Sequence, residues 1–117
     1  MNQARTQMSP RKLIIILLTL ATALIHLTLA FSALSQGDMT TFIMFLLNGI
    51  GYLVLLAAYY LPLPIARDNP KLVRWAFIAF TAVTIIGWLA IGMRSPVGYA
   101  DKLIELVLII LLITDKK

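Results

Sequence analysis

Three ionisable residues, Asp101, Lys102 and Glu105, stand close together at the start of the apolar run that ends the chain. A charge carried to the centre of a bilayer costs about 2.5–3.5 kcal/mol, and less near the surface. We therefore expect Glu105 to face other helices, where it is either neutral or paired. We expect Lys102 to extend its long side chain outward to the membrane surface. Asp101 falls in the first turns of the helix, where the helix dipole stabilises a carboxylate.

His26, the only histidine of the chain, is the second group that could do chemistry. Its chemical roles would be proton transfer with Glu105 or ligation of haem. Haem would need a second axial ligand, and the chain has no second histidine to supply it. The structural alternative is a neutral imidazole hydrogen-bonded to Asn48, to a threonine or to a backbone carbonyl. We favour the structural role, with the proton relay as its rival.

Glu105 has both a functional and a structural interpretation. Carboxylates inside a membrane are functional candidates by default, either in a proton path or as a charge that docks onto a partner subunit. The structural alternative is an ion pair or hydrogen bond of Glu105 with Arg94, Lys102 or His26 that holds the helices together. The first and last helices of an up-down-up-down bundle are neighbours. We therefore predict that Glu105 meets His26 directly or through one water.

Four polar residues, one from each predicted helix, lie at a similar depth: His26, Asn48, Thr84 and Glu105. Each is about eight or nine residues from the outer end of its helix, which corresponds to roughly 12–14 Å. Small and polar residues share their helix faces, as helix packing in lipid requires. Those neighbours are Thr19, Thr22, Ala23, Ala30, Ala33, Gly51, Tyr52, Thr81, Gly87, Trp88, Asp101 and Lys102. We predict a polar layer or relay formed by His26, Asn48, Thr84, Trp88, Asp101, Lys102 and Glu105.

The composition indicates which elements must position these residues. The 117-residue chain is 61% hydrophobic and 13% charged, whereas soluble domains are roughly 45–50% apolar and about 25% charged. A bilayer core of about 30 Å needs about 20 residues per helix, so four spans fill the chain. We predict an all-α integral membrane four-helix bundle, up-down-up-down, as a single domain over residues 1–117. The predicted helices are about 12–34, 40–61, 71–92 and 98–114.

The same composition excludes several kinds of site. The chain has no cysteine, which removes disulfides, thiolate catalysis, iron–sulfur clusters and cysteine-type zinc sites. A single histidine does not make a metal site by itself, and we predict neither a metal nor a cofactor. No phosphate-binding loop, nucleophile elbow or paired catalytic carboxylates occur, so we do not expect an enzyme.

The ten basic residues predict the orientation of the chain and its partners in the membrane. Eight of them fall on one side: Arg5, Arg11, Lys12, Arg67, Lys71, Arg74, Lys116 and Lys117. Arg94 and Lys102 fall on the other. Basic residues favour the cytoplasmic side, so both termini should be cytoplasmic in an inner membrane. The net charge of +5 then serves topology and contact with anionic lipids rather than binding of nucleic acid.

Four segments carry a resemblance to a known group of proteins. They are ALIHLTLAF, FLLNGIGYLVLLAAYYLP, RWAFIAFTAVTIIGW and GYADKLIELVLIILL. Over about residues 20–114 the chain resembles a family of small uncharacterised prokaryotic proteins with four transmembrane helices. The resemblance implies a four-span bundle and draws attention to His26, Asp101, Lys102 and Glu105, but it implies no catalytic or ligand role.

The expected function follows from the small size of the chain and the absence of a cofactor constellation. We expect an accessory subunit, or an assembly or binding partner, of a larger membrane complex, in contact with lipids and with another protein or a second copy of itself. The first alternative is a small transporter or proton-conducting protein that uses His26 and Glu105. The second is a lipid- or quinone-binding protein.

Overall fold

The computed structural model describes residues 9–92 and 95–115, and these residues form helices and no strands. The prediction of an all-α fold is confirmed. In chain order the helices are α1 (Pro10–Ser35), α2 (Met39–Tyr60), α3 (Pro64–Asp68), α4 (Pro70–Ile91) and α5 (Pro96–Thr114). The four long helices overlap the four predicted ones, and the short α3 was not predicted.

Three of the helices, α1, α2 and α4, are long and apolar enough to cross a membrane. The fourth long helix, α5, has 19 residues and is almost entirely aliphatic after its first turns. It differs from the other three because Asp101, Lys102 and Glu105 all lie within it.

Polar side chains and prolines determine where the helices begin. The hydroxyl oxygens of Ser9 and Ser95 accept hydrogen bonds from the first turns of α1 and α5, and a proline follows each serine. The carboxylate of Asp38 accepts from the backbone N–H of Thr41, 3.1 Å away, at the start of α2. The hydrogen bonds from Thr41, through its side chain and its backbone, lower the pKa of Asp38. These N-cap contacts satisfy backbone donors that have no partner inside the helix.

The four long helices pack in a closed ring. Helix α1 lies against α2 and α5, and α4 lies against the other sides of α2 and α5. The contact between α1 and α2 is the most extensive, and glycine allows it. A Cβ atom at Gly49 would lie 2.8 Å from the Leu27 side chain and 3.2 Å from the carbonyl oxygen of Ala23. Ala23, Ala30 and Ala33 of α1 are buried, as their position beside His26 predicts.

The interior has an apolar half and a polar half. Ile15, Phe77, Leu108 and Leu112 fill the half nearer the chain termini and are fully or almost fully buried. Many large aliphatic side chains point outward instead, for example Leu24, Val83, Ile91 and Leu103. Leucine and isoleucine on the outside suit contact with lipid tails.

Two arginines hold the carboxyl end of α5. Arg11 Nη1 donates to the carbonyl oxygen of Leu111 at 2.9 Å, and Arg74 Nη1 donates to the carbonyl oxygens of Leu112 and Ile113 at 3.1 and 3.0 Å. These carbonyls belong to the last turn of α5, at the negative end of its dipole, where few backbone donors are left to pair with them. The contacts tie α1 and α4 to the last turn of α5.

Candidate functional site

The polar half of the interior contains four ionisable side chains, which we call the charged cluster: His26 of α1 with Asp101, Lys102 and Glu105 of α5. Their exposed fractions are 3%, 3%, 7% and 0%. Residues 101 and 105 are one helical turn apart and therefore share a face, and α5 turns that face toward α1 and α2. The expectation that Glu105 faces other helices is confirmed.

Lys102 points into the cluster. Its ammonium nitrogen lies 3.1 Å from Asp101 Oδ2 and 2.5 Å from Glu105 Oε1. The second contact is a close ion pair between residues one helical turn apart. The prediction that Lys102 reaches outward to the membrane surface was therefore wrong. Two buried carboxylates attract the ammonium more strongly than the distant surface does, since opposite charges interact strongly where water is excluded.

Thr22 links the cluster to α1. Its hydroxyl donates to Asp101 Oδ1 at 2.5 Å and lies 3.4 Å from both Glu105 Oε2 and His26 Nδ1. A hydroxyl has one proton, so the short contact to Asp101 is the donated bond. Thr22 thus gives a buried carboxylate a hydrogen bond from a neighbouring helix.

The contacts of His26 define where its ring carries a proton. Nδ1 lies 2.7 Å from the backbone carbonyl oxygen of Thr22. A carbonyl oxygen only accepts, so Nδ1 must be the N–H donor. The other ring nitrogen, Nε2, therefore faces Asp101 Oδ2 at 3.6 Å.

Asp101, not Glu105, is the carboxylate that pairs with the imidazole. Ligand atoms of His26, Asp101 and Glu105 nevertheless lie within 4.8 Å of one another. The predicted direct contact between His26 and Glu105 is absent, whereas their proximity in one cluster is observed. Asp101 takes the place next to the ring because Glu105 is bound elsewhere.

Tyr52 of α2 is the partner of Glu105 that sequence reasoning did not place in the site. Its hydroxyl donates to Glu105 Oε2 at 2.5 Å, and the tyrosine is fully buried. A buried phenol needs an acceptor, and Glu105 of α5 supplies it. The available signal was that Tyr52 shares a helix face with small and polar residues, which indicated burial but not the partner.

His26, Asp101 and Glu105 are also the one group in the described ranges whose atoms are close enough to hold a metal ion. Carboxylate and imidazole are ordinary ligands for divalent cations. The ammonium of Lys102, however, already lies against both carboxylates. The cluster therefore contains its own cation.

The remaining predicted site residues, Asn48, Thr84 and Trp88, lie apart from the cluster. The hydroxyl of Thr84 lies 2.8 Å from Asn48 Oδ1, as a hydrogen-bond donor. Trp88 stands between the two groups, with its ring 6.0 Å from Lys102 Nζ and edge-to-face against Tyr99. Of the four residues of the predicted layer, His26 and Glu105 thus lie in the charged cluster, whereas Asn48 and Thr84 bond to each other.

Asn48, Thr84 and Trp88 border a groove between α2 and α4 with a volume of about 520 Å³, which we call the α2–α4 groove. A smaller pocket of about 80 Å³ lies on the other side of Trp88 and leads from Ser95 and Gly98 to Asp101 and Lys102. That pocket is large enough for a few water molecules. Arg94, which we considered as a partner of Glu105, lies outside the described residues, as do Arg5, Lys116 and Lys117.

Comparison of the chain with protein-family models, with curated proteins and with solved structures gave no match.

Proposed function

We propose that the chain is a four-span protein of the cell's inner membrane, with α5 as its fourth span and both termini cytoplasmic. The observation that carries this proposal is the internal pairing of the α5 charges. Asp101, Lys102 and Glu105 contact one another, and Thr22 and Tyr52 donate to the two carboxylates. Paired in this way, they no longer oppose insertion of an otherwise aliphatic helix.

We propose further that the protein has no catalytic chemistry of its own and acts as an accessory subunit or binding partner in the membrane. The polar groups of the charged cluster are used in contacts with each other. In the part of the chain that the structure describes, a pocket of about 80 Å³ leads to them from Ser95 and Gly98, and it is too small for an organic substrate. An interior that is already paired supports a structural role for the cluster and leaves the outer surface of the helices for partners.

The rival function, proton conduction through His26 and Glu105, has less support. A path would have to continue from the cluster to the other end of the helices. The side chains buried there include Ile15, Phe77, Leu108 and Leu112, and the hydroxyls of Thr19 and Thr81 each donate to the backbone of their own helix. Among the described residues, this mostly apolar section gives little support for a chain of groups along which a proton could move.

Mass measurement of the detergent-solubilised protein, taken from its native membrane at endogenous level, tests the accessory role. We expect a particle heavier than the chain that contains stoichiometric foreign subunits. Recovery of the chain alone, as a monomer or homo-oligomer, would contradict the subunit role.

Reconstituted vesicles test the rival function directly. We expect no pH-dependent proton flux above that of empty vesicles, in either the natural protein or Glu105→Gln. Flux that the natural protein shows and Glu105→Gln lacks would favour the conducting role instead.

A further inference from the structure

The α2–α4 groove has the features of a binding site that opens sideways from the protein. It is formed because the two helices touch at Gly51, where a Cβ atom would meet the ring of Phe80, and separate toward Gly87, where a Cβ atom would meet nothing within 4 Å. Val83 and Ile91, both largely exposed, border the opening. If the helices span the membrane as proposed, the opening faces lipid. A volume of about 520 Å³ lies within the usual range for small-molecule sites.

Asn48 supplies a polar group in this groove that is only partly used. Within the described part of the chain its amide oxygen accepts one hydrogen bond, from the hydroxyl of Thr84. The two N–H donors of the amide therefore have no partner among the described residues. An unpaired amide donor in hydrocarbon is costly. Binding of a molecule that brings an acceptor would remove this cost.

The depth of Asn48 restricts what that molecule can be. Asn48 lies nine residues after the first residue of α2, Met39, and is therefore about 13 Å below the start of the helix. The ester carbonyls of a glycerolipid remain near the surface of the hydrocarbon core and do not reach this level. The acceptor must belong to a molecule whose polar group moves freely inside the hydrocarbon.

The groove also indicates the charge and shape of its ligand. No charged residue lines it, and the rings of Phe80 and Trp88 form part of its wall. We propose that the α2–α4 groove binds an uncharged, lipid-soluble quinone, with one quinone carbonyl accepting a hydrogen bond from the Asn48 amide and the ring beside Trp88. This inference rests on the proposed spanning arrangement, and it gives the binding role a ligand class. The proposed role is binding of the quinone without a change in its oxidation state.

The two tryptophans of the chain provide the test. Trp88 lines the groove, whereas Trp75 is half-exposed near the other end of α4. Quinones quench tryptophan emission at short range. In a Trp75→Phe variant in detergent or nanodiscs, we expect a short-chain benzoquinone analogue to quench Trp88 along a saturating curve. In Trp88→Phe, the remaining Trp75 should show only weak quenching that rises linearly with concentration.

Three further variants separate specific binding from partitioning into the detergent. Asn48→Leu in the Trp75→Phe background removes the donor, and the Thr84 hydroxyl can then donate its one proton to the carbonyl oxygen of Phe80, 3.0 Å away. Its apparent affinity should fall about tenfold. Gly87→Leu fills open space in the groove and should abolish saturation. Leu53→Ala, on an outward-facing position, should leave the affinity unchanged, and thermal unfolding should confirm that all variants fold.

Linear quenching of Trp88, or equal affinity of the Asn48→Leu variant, would overturn the proposal. A phospholipid retained in native mass spectra and lost from Gly87→Leu, without displacement by quinone, would assign the groove to a lipid instead. Each measurement uses the isolated chain. Failure of quinone binding is therefore distinguishable from failure to find a partner subunit.

Discussion

At the scale of single residues, the positive and negative charges of the buried charged cluster have to balance. Asp101 and Glu105 bring two carboxylates, and Lys102 brings one positive charge against both. A neutral cluster needs one more proton. His26 and Asp101 can share that proton, because Nε2 of the ring faces Asp101 Oδ2. In a low-dielectric interior an unbalanced charge is far more costly than a shared proton. The cluster is therefore expected to be neutral as a whole.

The first prediction concerns the ring of His26. Because Nδ1 donates to the carbonyl oxygen of Thr22, Nδ1 should carry a hydrogen in every state of the protein. Nitrogen-15 NMR of labelled protein should show a protonated Nδ1, and the assignment is unambiguous because the chain has one histidine. A spectrum of the tautomer protonated only at Nε2 would contradict this geometry.

The second prediction concerns the pair of Lys102 and Glu105. Lys102→Met or Glu105→Gln alone leaves the other member buried with an incomplete partner, and each should lower the stability by about 1–3 kcal/mol. In the double variant Asp101 and His26 remain as a balanced pair. It should therefore lose clearly less than the sum of the single losses, a coupling of about 1–3 kcal/mol.

Unfolding in mild detergent of the natural protein, both single variants and the double variant completes this cycle. Strict additivity would mean that the ion pair contributes nothing to the fold. Thr114→Ala, at an exposed position near the end of α5, is a control that should leave the coupling of Lys102 and Glu105 unchanged.

The burial of Glu105 could be predicted from the cost of a charge in lipid, and the partners could not. The same argument predicted that the Lys102 side chain extends outward, because a long side chain near a helix end ordinarily reaches the surface. The sequence does not reveal that two carboxylates converge below it. Nor does it distinguish Asp101 from Glu105 as the partner of His26, since both share one helix face and the choice depends on the rotation of α5 against α1.

At the scale of elements, the fit between α1 and α2 depends on small residues at their contact. Gly49 faces Leu27 and the backbone of Ala23 at distances that leave no space for a side chain. Close approach of this kind replaces the hydrophobic driving force that helices lack in lipid.

Gly49→Leu is therefore expected to separate α1 from α2 and to lower the thermal unfolding midpoint strongly. Leu53→Ala, on an outward-facing position of the same helix, should change it little. Circular dichroism of the two variants and the natural protein in one detergent measures these unfolding midpoints. Equal midpoints would remove the close approach of α1 and α2 as a source of stability.

The helix ends could be predicted well, because serine, aspartate and proline act through local geometry. Asp38 caps α2 and Ser9 caps α1, both polar residues of the type that favours this position. The short α3 lies among prolines and was missed. The order of the helices around the ring and the groove between α2 and α4 depend on tertiary contacts, for which a single sequence has no local signal.

At the scale of the whole molecule, the proposed orientation depends on where the positive charges lie. Lys102, one of the two basic residues that the proposal assigns to the outer side, is paired internally with Asp101 and Glu105. The asymmetry that orients the chain is therefore greater than a simple count suggests.

Single cysteines test this orientation without background, because the natural chain has none. A cysteine at Gln36, in the turn between α1 and α2, should react in intact cells with a reagent that does not cross membranes. A cysteine at Asn69, just before α4, should react only after the membrane is opened. Reaction of Asn69→Cys in intact cells would reverse the proposed orientation.

The internal pairing of α5 also has a consequence for the order in which the protein is made. A ribosome completes α1 and α2 first, so Thr22, His26 and Tyr52 are in the membrane before Asp101, Lys102 and Glu105 are synthesised. Alone, α5 carries three charges, which the insertion machinery penalises by up to about 2.5–3.5 kcal/mol each. The last helix made is then the one least able to enter by itself. Fused alone to a reporter, α5 should insert poorly, and preceding α1 and α2 should rescue it unless Thr22 and Tyr52 are replaced. If α5 spans the membrane as proposed, its entry should therefore depend on correct assembly of α1 and α2.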